Sequence, residues 1–249
     1  MFPYHDDNQT LRTPIVTILV IAANVLVWIV VQGAGSTMPL AESVCNLGLI
    51  PAEVTQSLPP GSGFPMGDHL TCLTDPGPQY AHILTSMFLH GSWMHLLGNM
   101  WFLWLFGNNV EDVMSRPRFL AFYLLCGLAA AFAQVYTNPA SLAPMVGASG
   151  AISGVMGAYL IFFPRVRVFT IIPLGFFLQQ VALPAWAMLI YWMVLQLAGG
   201  FTSVVAGESG GVAFWAHVGG FASGVVLGKL FERRDRTLAH DASLWRPSR

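Results

Sequence analysis

Six mostly apolar stretches, each close to the length a helix needs to cross a bilayer, constrain this chain more than any other feature. They run over about 14–31, 93–110, 120–136, 146–163, 182–202 and 212–230. A helix takes about 20 such residues to cross the ~30 Å hydrocarbon layer. In lipid the backbone must satisfy its own hydrogen bonds, which a helix does. Charge content points the same way. Asp, Glu, Lys and Arg make up 9% of the 249 residues, whereas soluble domains carry roughly a quarter. Mean hydropathy is +0.60, with 17 Phe and 8 Trp. The fold class expected is therefore an all-α polytopic membrane protein, a bundle of six transmembrane helices. The first stretch lacks a small-residue cleavage site and is expected to stay as an anchor. A net charge of −1, with one Lys among 11 basic residues, argues against nucleic acid as a partner.

Basic residues orient the bundle, because Lys and Arg are retained on the cytoplasmic side. Arg12 precedes the first stretch, Arg116 and Arg118 separate the second from the third, and Arg165 and Arg167 separate the fourth from the fifth. Lys229, Arg233, Arg234, Arg236, Arg246 and Arg249 close the sixth and follow it. The opposite loops, 33–92, 137–145 and 203–211, hold no Lys or Arg. Both termini are thus expected inside. Residues 1–231 form a single membrane domain, and 232–249 a polar, basic, solvated cytoplasmic tail. The long outer loop 33–92 is too apolar for a plain linker and is expected to fold at the outer interface. Cys45 and Cys72 lie in it, where either a disulfide or two free thiols fit an exported environment. Cys126, inside the third span, reads as ordinary packing.

No Asp, Glu, Lys or Arg falls near the middle of a span, which argues against a proton-coupled transporter. The polar residues left are His95 and Asn99 in the second span, Ser149 and Ser153 in the fourth, Gln196 in the fifth and His217 in the sixth. At ~1.5 Å per residue, Ser149, His217 and His95 fall about 5–10 Å below the outer surface, with Asn99 one turn deeper on the face of His95. Gly147, Gly150, Gly154 and Gly157 line one face of the fourth span; Ala216, Gly220, Gly224 and Gly228 line one face of the sixth. Such small-residue faces let helix backbones touch, and packing alone accounts for them. If the two faces meet, Ser149 and His217 come within hydrogen-bond reach. A serine beside an imidazole is the minimum for nucleophilic acyl transfer. No carboxylate lies at this depth, so the residues imply a dyad. His95, Asn99 and the Ser149 backbone N–H are available as oxyanion donors. The string Gly147-Ala148-Ser149-Gly150 is weak evidence alone, and lone histidines in a bundle, His82 and His90 above all, are more often hydrogen-bonded core residues.

Three segments together carry a resemblance: His-Gly-Ser-Trp-Met-His-Leu-Leu-Gly-Asn (90–99), Gly-Ala-Ser-Gly (147–150) and Ala-His-Val-Gly-Gly-Phe (216–221). Their order and sequence resemble the signatures of the rhomboid intramembrane serine proteases, in the bacterial six-span form. The resemblance implies Ser149 as nucleophile, His217 as general base, and His95, Asn99 and the Ser149 N–H as the oxyanion hole. It implies supporting roles for His90, Gly147, Gly150 and Gly220, with neither metal nor cofactor. The implied substrates are single-span transmembrane proteins, cut near their extracytoplasmic end after a small residue. The implied setting is the lipid bilayer of a bacterial inner membrane, with the site facing outward. The fifth span and the glycine-rich segment Gly199–Gly211 are the expected gate and cap.

Two departures stand out. Ala81-His82 occupies the place of a Trp-Arg pair many members carry, and Ser153 stands where an aromatic often packs on the catalytic histidine. The imidazole is then expected to be held less firmly, or by another side chain such as Phe214 or Trp215. The alternative is a non-proteolytic relative that binds membrane clients; such relatives usually lack the nucleophile or its base, and both are here. A metal or haem protein using His90, His95 and His217 lacks an H-E-x-x-H motif and a transmembrane carboxylate.

Overall fold

A computed structural model describes residues 2–66, 70–174, 177–206 and 212–244. The protein is mostly helical. Its long helices are α1 (Ile15–Val30), α5 (Trp93–Met114), α6 (Arg116–Thr137), α7 (Ser149–Phe162), α8 (Ala185–Ala206) and α9 (Phe214–Phe231). Among the described residues, α6, α9 and the stretch Ala185–Ser203 of α8 are long and apolar enough to cross a membrane. Helices α1 and α7 are apolar but shorter, at 16 and 14 residues. Helix α5 has 22 residues but carries more polar side chains, including Asn108, Asn109, Glu111 and Asp112 near its end.

The inter-helix packing rests on glycine. A methyl group at Gly220 would lie 2.0 Å from the Gly150 carbonyl oxygen, and one at Gly224 the same distance from that of Gly154. A methyl at Gly157 would lie 2.3 Å from the Phe221 carbonyl. The small faces of α7 and α9 are therefore in direct backbone contact, the two helices running parallel. Methyls at Gly150 and Gly154 would also strike Ala130 and Cys126 of α6, which packs against both α7 and α9. That antiparallel register sets Ser149 level with Ala131, six residues short of the end of α6 at Thr137. At ~1.5 Å per residue, the start of α7 lies about 9 Å below the end of α6. Ser149 is deep because α7 begins there, not because it sits several residues into a helix starting at Val146.

The expectation of an all-helical protein is corrected by two small sheets. Strands β1 (Phe2–Asp6), β4 (Arg167–Leu174) and β5 (Phe177–Pro184) form an antiparallel sheet in the order β1-β4-β5. The run Arg-Val-Phe-Thr-Ile-Ile at 167–172 is rich in β-branched residues, which favour a pleated surface. The fifth helix consequently starts at Ala185, not at Ala182. The second sheet is the hairpin of β2 (Gly63–Met66) and β3 (Leu70–Leu73), within the long loop. This loop also holds α2 (Thr37–Leu47), α3 (Pro51–Thr55) and α4 (His82–Thr85), and a disulfide joins Cys45 to Cys72.

One end of the bundle is built from the N-terminal strand, the β4–β5 hairpin and the C-terminal helix α10 (Arg234–Leu244). Glu111 accepts the backbone N–H groups of Val16 and Thr17 and the Thr17 hydroxyl; Asp112 accepts those of Leu11 and Arg12. Carboxylates here satisfy the free N–H groups at the start of α1 and complement its dipole. The Tyr159 hydroxyl donates to Asp6, whose carboxyl burial pushes up to about 6. Residues 234–244 are not a plain solvated tail. His240 is buried, its ring against Phe163, with Nε2 3.3 Å from Asp112 Oδ2.

The expected glycine-rich loop is corrected too. Residues 199–206 continue α8, and 207–211 lie outside the described residues. Gly199 and Gly200 serve packing: a methyl at Gly199 would lie 2.4 Å from the Phe214 ring, and one at Gly200 3.3 Å from Trp215.

Two stability predictions follow from this packing. Gly224→Ala has to separate α7 from α9, and is expected to lower stability by about 1–3 kcal/mol or more. Gly98→Ala, where nothing lies within 4 Å of an added methyl, is expected to be neutral or to raise stability by up to ~1 kcal/mol. Thermal unfolding in detergent compares the two. Replacing Cys45 or Cys72 by Ser opens a loop of sequence separation 27 and is expected to cost about 3 kcal/mol in the same assay.

Candidate active site

Ser149 is the first residue of α7, and His217 stands in the first turn of α9. With the α7 and α9 backbones in contact, their side chains meet, and Ser149 Oγ lies 2.8 Å from His217 Nε2. The other ring nitrogen, Nδ1, lies 2.7 Å from Gln196 Oε1 on α8. A neutral imidazole carries one proton. With that proton on Nδ1 and donated to the amide oxygen, Nε2 presents its lone pair to the Ser149 hydroxyl.

Opposite this pair stand His95 and Asn99, one turn apart on α5. The helix is capped by Ser92, whose Oγ accepts the His95 N–H at 3.1 Å. The Gly91 N–H donates to His95 Nδ1 at 3.4 Å, which leaves the proton of a neutral His95 on Nε2. Asn99 is buried, and its Nδ2 has no hydrogen-bond partner among the described residues. Both groups flank Gly147, where an added methyl would lie 2.8 Å from His95 Nε2 and 3.5 Å from Asn99 Nδ2. Gly147 has φ +125°, a conformation that L side chains rarely adopt, and its N–H donates to the Ser86 carbonyl at 2.9 Å. Glycine at 147 thus lets the chain turn into α7 directly beneath two side-chain donors. The first N–H groups of α7 have no partner within the helix, so the Ser149 amide is a third donor at the same place.

His90 supports this wall. Gln32 clamps its backbone, accepting the His90 N–H at 2.8 Å and donating to its carbonyl at 2.8 Å. The buried ring stands edge-on to His95, centroids 5.1 Å apart. Burial, and secondarily the neighbouring His95, push the His90 imidazole down to about 3, so it is neutral. Gly150 and Gly220 make the helix contact, and Gly150 also lines a small cavity beside Ser149. Among the described residues, no group of three or more His, Cys, Asp or Glu is placed to hold a metal ion.

The departures noted in the sequence have structural answers. Ser153 Oγ donates to the Ser149 carbonyl at 2.6 Å and does not touch His217. The ring facing His217 is neither Phe214 nor Trp215 but Trp192 of α8, centroids 5.9 Å apart and tilted by 40°. In the long loop, His82 Nδ1 lies 3.6 Å from Glu53 Oε2, while Glu53 Oε1 accepts the Asp75 N–H at 2.9 Å. A buried His–Glu contact thereby ties α3 to α4. Sequence reasoning named Gln196 without a role and passed over Trp192. Their spacing of four on one helix, beside the depth assigned to His217, was the available signal.

Comparison with known proteins locates the same segment. The Rhomboid domain family model matches residues 77–234, which contain every residue of the site. The chain is 29% identical over 171 residues to rhomboid protein 1, mitochondrial, of Saccharomyces cerevisiae, covering 66% of this chain and 46% of that protein. It is 30% identical over 156 residues to RHOMBOID-like protein 5 of Arabidopsis thaliana, covering 63% and 45%. Over 88 residues it is 33% identical to the human presenilin-associated rhomboid-like protein, mitochondrial, covering 34% and 23%. The chain spans less than half the length of these curated relatives.

Gly147→Ala forces a methyl into the His95 ring at a strained φ. It is expected to slow covalent modification of Ser149 by a fluorophosphonate by about tenfold or more, up to the roughly 10²–10³ that loss of one side-chain donor to a developing oxyanion costs. Labelling followed by intact-mass analysis reads this directly.

Proposed function

The chain belongs to the rhomboid family, and from that premise we propose that it is an intramembrane serine endopeptidase acting through Ser149 and His217. The observation that carries this reading is the 2.8 Å contact between Ser149 Oγ and His217 Nε2. As Oγ attacks a substrate carbonyl carbon, its proton passes to Nε2, and the carbonyl oxygen becomes an oxyanion. The Ser149 N–H, His95 Nε2–H and Asn99 amide stabilise that charge. That Asn99 Nδ2 has no acceptor among the described residues supports such a role, because a buried donor of this kind suits charge that arrives only during reaction. The imidazolium then protonates the departing amine. Water, deprotonated by the same histidine, hydrolyses the acyl-enzyme.

The substrate we propose is the transmembrane segment of a single-span protein, cut near its extracytoplasmic end. A helix in lipid hides its carbonyls in its own hydrogen bonds, so a top turn rich in Gly, Pro or other weak helix formers is the better substrate. A small cavity beside Ser149, lined by Met87, Gly147, Gly150 and Ala216 among others, fits a small residue before the scissile bond. Helix α8, with Ile190, Val194 and Leu197 exposed, is the proposed lateral gate.

The proposed topology has six spans and both termini inside, with residues 1–231 as one membrane domain. The basic residues support it, and so does the gathering of β1, the β4–β5 hairpin and α10 at one end of the bundle. That end is then cytoplasmic and the dyad faces outward, in the inner membrane of a bacterium. The mitochondrial designation of two relatives describes those proteins.

The test is cleavage of a single-span reporter in liposomes. Parent protein is expected to cut near the outer end, insensitive to chelators, and Ser149→Ala and His217→Ala to abolish cleavage. Asn99→Ala is expected to lower the rate by about 10²–10³. Cleavage surviving in Ser149→Ala removes the proposed nucleophile. Client binding without cleavage across several reporters favours a non-proteolytic relative.

A further inference from the structure

Beyond its contact with Ser149, the imidazole of His217 is held from α8. Gln196 Oε1 lies 2.7 Å from Nδ1, and the Trp192 ring faces the imidazole at 5.9 Å. Residues 192 and 196 are one turn apart, so a single helical face presents both groups. Trp192 also packs against Phe221, one turn beyond His217 on α9, with centroids 6.2 Å apart. Helix α9 itself supplies no side-chain partner to Nδ1 in this arrangement.

We propose that Gln196 is the positioning residue of the general base, doing with a neutral amide what a carboxylate does in a soluble triad. This rests on the serine-protease reading above. For Nε2 to accept the Ser149 proton, the single proton of neutral His217 must sit on Nδ1 and be held there. The Gln196 amide oxygen accepts it, which selects the tautomer and fixes the ring plane. When Nε2 takes the hydroxyl proton, the same amide dipole and the Trp192 ring stabilise the new positive charge. A buried carboxylate at this depth would need its own compensation for desolvation; an amide does not.

The placement has a consequence for gating. Since the Nδ1 acceptor and the ring beside the imidazole both lie on α8, a displacement of that helix large enough to admit a substrate laterally also frees Nδ1. The base is competent only when α8 is reseated against α9. Entry and chemistry are thereby separated in time by one helix.

The experiment uses the full chain in liposomes with the single-span reporter, measuring kcat and KM for the parent, Gln196→Leu and Gln196→Glu, with Ser149→Ala as the blank. Gln196→Leu keeps the volume and removes the acceptor. It is expected to lower kcat about tenfold or more, the loss of one hydrogen bond made to the charged form, with KM little changed. Gln196→Glu offers an acceptor oxygen at the same reach and is expected to restore kcat toward the parent value. The fluorophosphonate labelling rate of Ser149, which needs no lateral entry, is expected to follow kcat in both variants. Parental kcat in Gln196→Leu overturns the positioning role while an inactive Ser149→Ala leaves the protease reading intact. Cleavage retained in Ser149→Ala sinks the Ser149–His217 reading itself, and with it the role given to Gln196. Unfolding temperatures are recorded for each variant. Should Gln196→Leu fail to fold, Gln196→Met, equally apolar and unbranched, replaces it with the same expected outcomes.

Discussion

The approach of α7 to α9 along two rows of small residues is the contact on which the remaining geometry depends. Carbonyl oxygens of Gly150 and Gly154 lie where a side chain at Gly220 or Gly224 would have to be. Only at that separation do residues at the start of one helix and in the first turn of the other share a hydrogen bond. In lipid no hydrophobic force draws apolar helices together, so close van der Waals packing must do so. The same contact therefore holds the bundle and sets the distance between Ser149 and His217. A methyl group well away from either side chain would act on both at once.

Around this contact the protein keeps polar and charged groups at different levels. At the end built from β1, the β4–β5 hairpin and α10, Glu111 and Asp112 meet the backbone N–H groups leading into α1, and Asp6 meets Tyr159. Those carboxylates close the bundle where water is near. At the level of Ser149 the polar groups are neutral: a hydroxyl, imidazoles, amides and a glycine backbone. Ionised groups are costly to bury without partners, whereas neutral donors and acceptors in a small network are not. The site is thus assembled from the groups this layer tolerates.

Much of this was legible in the sequence because the bilayer imposes a coarse, readable code. Apolar length marks helices, small residues at intervals of four mark a helix contact, and a rare polar residue in an apolar run is conspicuous. Ser149, His217, His95 and Asn99 all stood out in that way, and the structure brings them around one point. Less was legible where the deciding factor is not periodicity. The strands β4 and β5 are as apolar as the helices beside them, so the fifth helix was drawn three residues too early. The start of α7 at Ser149 depends on the positive φ of Gly147 and on the Ser86 carbonyl that receives its N–H. Gly199 and Gly200 resembled a loop because glycine usually signals flexibility; here each makes room for an aromatic ring of α9. The docking of α10 was hidden because its composition is polar, and burial of His240 becomes visible only once Asn8, Asp112 and Phe163 converge on it.

The replacement of an aromatic by Ser153 illustrates how such a departure is absorbed. At 153 a large ring would occupy the side of His217 nearest α7. With serine there, the hydroxyl turns back to the Ser149 carbonyl, and the space on the imidazole falls to a neighbouring helix. Trp192 fills it from α8, and Gln196, one turn further, reaches the nitrogen that a ring alone does not satisfy. Support for the imidazole thereby moves from α7, a helix locked by glycine contacts, to α8, which shares no such glycine contact with α7. A base supported from a fixed helix stays oriented whatever the bundle does at its edge. A base supported from α8 is oriented only while α8 remains seated. In the proposed mechanism, serine at 153 leaves the support of the imidazole to α8, while Ser149 and His217 keep their contact.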